Sequence, residues 1–175
     1  MEARCRKIRL LLLDVDGVLT DGRIIYDNNG VESKAFDVKD GHGLKLVQRA
    51  GIKVGIITGR QSQVVAHRAA ELGIEILRQG AKDKLPPYQE ILAQLGLRDE
   101  EVAYVGDDVV DLPVLRRVGL AVTVRDAVDD LKPLVHYVTQ RPGGRGAVRE
   151  VCDLILKKSQ RWESVAGRYF SSEEG

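Results

Sequence analysis

The sequence predicts an α/β domain: a doubly wound, mostly parallel sheet with helices on both faces. Three observations predict it. Short apolar runs such as Leu10 to Leu13 and Val54 to Ile57 alternate with segments whose apolar residues recur at helical spacing. Glycines close those helical segments, at Gly51, Gly73 and Gly96. Residues that can do chemistry gather where three of the apolar runs end: Asp14 and Asp16, Thr58-Gly59-Arg60, and Asp107-Asp108. In parallel sheets ligands sit at the carboxyl ends of the strands, near the point where the strand order reverses.

The elements follow in order. Lys7 to Leu13 reads as a first strand buried on both faces, because its leucines are unbroken. Arg23 to Asp27 and Val31 to Asp37 flank Asn28-Asn29-Gly30, a strong hairpin signal, so residues 23–37 form a flap. Gly41 to Ala50 is a helix with Leu44, Leu46 and Val47 inward. Lys53 to Ile57 is the second buried strand, Gln61 to Leu72 a helix and Ile74 to Leu77 a strand. Lys84 to Leu95 is a helix whose Pro86 and Pro87 fit only its first turn. Glu101 to Val105, Ala121 to Val124 and Tyr137-Val138 are further strands. Leu112 to Val118 and Ala147 to Lys158 are helices. Residues 1–158 thus make one domain, and 159–175 a polar, loose tail carrying Trp162, Tyr169 and Phe170. At 175 residues the chain suits one core and is short for two.

Composition narrows the function. Lys and Arg total 27 against 26 Asp and Glu, so no overall charge draws the chain to nucleic acid or anionic membranes. Cys5 and Cys152 lack metal or redox spacing and read as free thiols of a reducing compartment, Cys152 packed in the core. No apolar run is long enough to span a membrane, and the basic start is followed too soon by acids for a signal peptide. The expectation is a cytoplasmic protein.

The chemistry can be built from the parts. Strand alternation puts Asp14 and Asp16 on one side, and Gly17 lets a ligand approach without a side chain in the way. Two carboxylates this close call for a cation, and a hard one, Mg²⁺, suits oxygen ligands. Asp14, first off the strand, is the nucleophile that would attack phosphorus. Asp16 would protonate the leaving alcohol and later deprotonate water. Asp14, Asp107 and the main-chain carbonyl near Asp16 would hold the metal. Thr58 and Gly59, read as a helix start with a free N–H, and Lys84 would bind the phosphate oxygens. One of Asp108 and Asp111 would orient Lys84 or the metal. Taken alone, Thr58-Gly59 is a plain turn and Lys84 a surface lysine; their place in the order of strand ends gives them roles. Arg68 fits a solvated charge as well as a ligand, and His42 a polar surface as well as a substrate contact. His67 and His136 read as structural. Gly143-Gly144-Arg145-Gly146 reads as a flexible loop, since no P-loop lysine follows.

The segments DVDGVLT, ITGR, the lone Lys84 and GDDVVD together resemble the four motifs of the haloacid dehalogenase superfamily. FDVKDGHGLKL and GGRGAVREVCDLIL resemble, more narrowly, the 3-deoxy-D-manno-octulosonate (KDO) 8-phosphate phosphatases of lipopolysaccharide precursor synthesis. The resemblance implies a magnesium-dependent tetramer that hydrolyses a sugar-acid phosphate. It implies metal ligands at Asp14, Asp16 and Asp107. It implies substrate contacts from Asp16, Asp37, Val38, Lys39, Asp40, Gly41, Lys45, Arg60, Arg68 and Lys84, some of them from a neighbouring subunit. Arg145 matches a mobile C-terminal segment that reaches a neighbour's site.

Spacing supports self-association separately. Only a hairpin and a helix fit between Asp16 and Thr58, and only a helix and a short strand between Thr58 and Lys84. Neither gap holds a cap domain, so another subunit would have to exclude water. The hairpin, with Ile24, Tyr26 and Phe36, is the sticky edge. Two other readings compete: a phosphatase of a nine-carbon, sialic-acid-type 9-phosphate, and a non-enzymatic receiver-like or regulatory phospho-acceptor domain. A receiver places its acid pair and accepting aspartate in a different strand order.

Overall fold

Leu10 to Leu13 form the central strand because strand alternation lets their side chains serve two cores at once. Leu11 and Leu13 join one buried cluster, and Leu10 and Leu12 the other. The computed structural model describes residues 1–170. In chain order the elements are α1 (Glu2–Lys7), β1 (Leu10–Leu13), β2 (Ile25–Tyr26), β3 (Glu32–Ser33), α2 (Val38–Arg49), β4 (Lys53–Ile57), α3 (Gln63–Leu72), β5 (Ile76–Arg78), α4 (Leu85–Leu95), β6 (Val102–Gly106), α5 (Leu112–Leu115), β7 (Leu120–Thr123), β8 (Tyr137–Val138), α6 (Ala147–Lys158) and α7 (Trp162–Ala166).

Six strands lie in the order β5-β4-β1-β6-β7-β8, each pair parallel. β4 and β6 flank β1 on opposite sides, so the order reverses between β1 and β6. One face of the sheet carries a core fed by α2, α3 and α6, and the other a core fed by α4 and α5. The doubly wound fold is therefore present, and β2 and β3 form a separate antiparallel hairpin. Between Asp16 and Thr58 lie only this hairpin, α2 and β4, and no cap domain is present among the described residues.

Some ends shift, α2 starting at Val38 rather than Gly41 and α5 ending at Leu115 rather than Val118, and two stretches differ in kind. The chain before β1 is helical from Glu2 to Lys7, which buries Cys5, so the first strand starts at Leu10 rather than Lys7. The tail is folded as far as it is described. α7 buries Val165 and Ala166, Trp162 packs on the core with the Lys157 ammonium 4.7 Å from its ring centre, and Arg49 donates to the Tyr169 hydroxyl at 2.8 Å. Three aromatics among polar residues are too sparse to read as a periodic face, which is why the sequence suggested a loose tail. The rest of that tail, 171–175, lies outside the described residues. Both cysteines are buried free thiols.

Candidate active site

Sheet register assembles the site. Leu13 pairs with Ile56 on one side and Val105 on the other, so Asp14 stands level with Ile57 and Gly106. Thr58 and Asp107 each follow one residue later, on the strands that flank β1. Asp14 and Asp107 therefore border the crevice where the strand order reverses, the place this topology offers to a ligand.

Lys84 ties the floor together. Its ammonium is 2.9 Å from Asp14 Oδ2 and 2.6 Å from Asp111 Oδ1. Asp111, fully buried, also accepts from the Tyr104 hydroxyl at 2.7 Å and from the amides of Asp107 and Asp108 at 3.0 and 3.3 Å. Those four bonds occupy the acceptor capacity of a carboxylate. Asp111 is thus the carboxylate that orients Lys84. Asp108 is exposed and accepts from the Val109 amide.

Burial, followed by the charge of Asp111, pushes Asp14 up to about 6. Burial, followed by the charges of Asp14 and Asp111, pushes Asp107 up to about 7. Burial opposes the Lys84 ammonium, but Asp14 and Asp111 outweigh it and raise its pKa, so Lys84 stays charged.

A divalent cation fits this cluster. Asp14, Asp107 and Asp111 each bring a carboxylate oxygen within 4.8 Å of the others. Since Asp111 is filled by its four donors, Asp14 and Asp107 are the pair with oxygens to offer. The Asp16 side chain is not in this cluster, which leaves its main-chain carbonyl as the group it would bring to the metal. Its Oδ1 is bound to the Lys34 ammonium of the hairpin. Gly17 has φ of +86° and lies against Asp107; a Cβ there would stand 2.0 Å from Asp107 Oδ2.

The phosphate cradle also differs in detail. The Thr58 amide donates to the Arg78 carbonyl at 2.9 Å as part of the sheet, and α3 begins only after its N-cap Ser62. Thr58 therefore brings a hydroxyl rather than a helix-terminal N–H, with exposed Gly59 beside it.

The remaining residues lie after β4, on α3 and at the start of α2. Arg60 donates to Tyr26 and Glu32 of the hairpin, both at 2.8 Å. Arg68 lies 5.6 Å from the Phe36 ring centre, pairs with Glu71, and fills the space beside Gly41. Asp37 caps α2, accepting from the Lys39 and Asp40 amides, while Val38 and Lys39 are exposed. Asp40 is buried and accepts from the Arg149 amide at 2.7 Å and the Gly146 amide at 3.4 Å, at the start of α6.

Lys45 stands apart from the catalytic floor, its ammonium 2.6 Å from the Leu72 carbonyl. Arg145 is two-thirds exposed and 3.7 Å from Asp21 of its own chain. The glycine-rich segment before it is not a free loop within this chain: Gly143 and Gly144 lie on the backbone of Gly17 and Thr20 so closely that a Cβ at Gly143 would meet the Gly17 carbonyl. Sequence reasoning passed over Lys34, Glu32 and Tyr104. Alternation along the hairpin, which puts Glu32, Lys34 and Phe36 on one side, was the available signal for the first two.

Comparison with known proteins agrees with this geometry. The family model described as haloacid dehalogenase-like hydrolase matches residues 38–119. The chain is 52% identical to 3-deoxy-D-manno-octulosonate 8-phosphate phosphatase KdsC of Yersinia pestis, over 94% of this chain and 88% of that protein. It is 50% identical to KdsC of Escherichia coli K12, over 95% and 88% of the two chains. Among solved structures it is similar to the Moraxella catarrhalis phosphatase of the same name in complex with a magnesium ion, a phosphate ion and KDO. There the TM-score is 0.93 at 41% identity, covering 96% of this chain and 97% of the other.

Proposed function

Since the chain belongs to the 3-deoxy-D-manno-octulosonate 8-phosphate phosphatase family of haloacid dehalogenase-like hydrolases, we propose how its residues hydrolyse that ester to KDO and phosphate. The protein is a phosphoric monoester hydrolase that uses magnesium. The observation that carries the reading is the pairing of Asp14 with Lys84 beside Asp107 at the crevice between β1 and β6.

Asp14 attacks phosphorus and forms an aspartyl-phosphate as the bond to the sugar oxygen breaks. Asp16 gives that oxygen its proton, then takes a proton from the water that cleaves the acyl phosphate. Lys84, the Thr58 hydroxyl and Gly59 hold the phosphoryl oxygens. Asp14, Asp107 and the Asp16 carbonyl would hold the magnesium ion, which when bound would offset the charge shared by nucleophile and phosphate. Asp37 to Gly41, Arg60 and Arg68 line the substrate's path. Lys45, bound to the Leu72 carbonyl, and Arg145, beside Asp21, serve a neighbouring subunit's site.

The assembly we propose is a homotetramer in the cytoplasm. Ile24, Ile25, Tyr26 and Val31 leave an exposed apolar hairpin, and the site has no cap of its own among the described residues. Two free thiols and the absence of any membrane-length helix among the described residues fit that compartment. The nine-carbon phosphatase and the receiver are not favoured by the relatives.

Phosphate release with magnesium, compared across eight- and nine-carbon sugar-acid phosphates, tests the reading. The eight-carbon ester should have the higher kcat/KM, and Asp14→Asn should abolish turnover with the fold intact. Sedimentation showing only monomers would reject the tetramer.

A further inference from the structure

Lys34 is a charged side chain that is only 1% exposed. A buried ammonium is costly unless it is paired, and this one is paired twice, with Asp16 Oδ1 and with Glu32 Oε1 at 3.3 Å. Glu32 in turn accepts from Arg60 Nη2, and the same nitrogen donates to the Tyr26 hydroxyl. Among the described residues the hairpin belongs to no larger sheet, and a two-stranded hairpin is marginal alone. Its polar ties to the domain include the Ser62 side chain on Glu32 and this chain of charges, which ends on Asp16.

We propose that Lys34 is a positioning residue for Asp16, brought there by the hairpin. A carboxylate turns softly about its last torsion, which has two broad wells rather than three sharp ones. An ammonium on Oδ1 removes that freedom and leaves Oδ2 to carry the proton for the leaving oxygen. Glu32 holds the ammonium from behind, so the flap's position sets the geometry of proton transfer. Lys34 acts through Asp16 and makes no bond to the phosphate. This inference rests on the acid–base role given to Asp16 above.

The test compares kcat/KM, which reports the phosphoryl-transfer step, on two esters with magnesium present. The sugar-acid 8-phosphate needs its leaving oxygen protonated, whereas p-nitrophenyl phosphate does not. Lys34→Met should lose about 10²-fold on the sugar ester and less than about threefold on the aryl ester, in keeping with the worth of one general acid. Lys34→Arg should restore most of the loss, and Lys34→Met added to Asp16→Asn should cost nothing more. Equal losses on both esters would make Lys34 a phosphate ligand or a folding element and would overturn the inference, as would an additive double variant. Should Lys34→Met not fold, Glu32→Gln keeps the Lys34–Asp16 pair and loosens it: a smaller loss confined to the sugar ester supports the proposal, and an equal loss on both refutes it. Asp16→Asn separates the two levels. If it shows no ester dependence, the acid–base role fails; if it does and Lys34→Met does not, only the present inference fails.

Discussion

Lys84 Nζ and Asp111 Oδ1 stand 2.6 Å apart beneath the crevice, both almost wholly buried. Asp111 thereby fixes the cation that faces Asp14, and through two amide bonds it also fixes the turn that presents Asp107. A single side chain thus sets the placement of nucleophile, phosphate donor and metal ligand. Removing Lys84 leaves a fully buried carboxylate without its counter-charge, held only by neutral donors. Lys84→Met should therefore destabilise the protein by on the order of 3–5 kcal/mol, measured by denaturant unfolding. It should also lower kcat by at least about 10²-fold, as loss of one preorganised charge donor does. Lys84→Met with normal stability would show that Asp111 does not depend on it.

The raised carboxylates give the metal site a pH signature. Asp14 is pushed up to about 6 and Asp107 up to about 7, both from an ordinary value of 3.8. The metal-free native state then holds protons that the unfolded chain has released, so its stability falls as pH rises from about 4 to 7. A cation that binds only the ionised pair reverses this. Magnesium should raise Tm little at pH 5.5 and strongly at pH 8, and EDTA should erase the difference. Asp107→Asn should flatten the response at both pH values. An equal magnesium shift at both would contradict the assignment.

How much of this could be read from the sequence follows from how local each signal is. The strand runs, the glycine stops and the three loaded strand ends are written in contiguous residues, and they carried the sheet, its helices and the meeting of Asp14 with Lys84 and Asp107. Asp111 against Asp108 was not decidable, because the choice depends on Tyr104 and Lys84 arriving from other elements. Thr58 was misjudged at its amide because the partner, the Arg78 carbonyl, belongs to a strand whose register no local pattern fixes. Lys34 was missed since an isolated lysine in a hairpin is ordinarily solvated; only the folding of the flap onto Asp16 buries it. The helical ends of the chain escaped because each is short and gains its order from packing, Cys5 against the core at one end and Val165 at the other.

Gly17 makes a sharper probe of the metal site than any charged residue. Its φ of +86° disfavours every side chain, and a Cβ would lie 2.0 Å from Asp107 Oδ2. Gly17→Ala keeps every charge yet must move Asp107. The conformational cost alone is about 1–2 kcal/mol. Titration of the purified variant by calorimetry should show magnesium affinity weakened by about tenfold or more, the 1.4 kcal/mol that one such displacement readily exceeds. Unchanged affinity would mean that Asp107 does not bear on the ion.

Asp40 offers a pH test away from the metal. Its carboxylate is buried, and burial pushes it up to about 6 despite the Arg149 and Gly146 amides that favour the charge. Here too the native value exceeds the unfolded one, so the stability this group contributes is present at low pH and lost as pH rises through about 4 to 6. Asp40→Asn keeps an acceptor for the Arg149 amide and cannot ionise. Relative to that variant, the wild type should lose about 2–3 kcal/mol of unfolding free energy between pH 4 and pH 7, because burial carries the carboxyl from 3.8 up to about 6. Denaturant unfolding of both proteins across that range measures the difference directly. Parallel curves would mean that Asp40 ionises as freely in the fold as in the unfolded chain, and that α6 is not held at its first turn by a strained carboxylate.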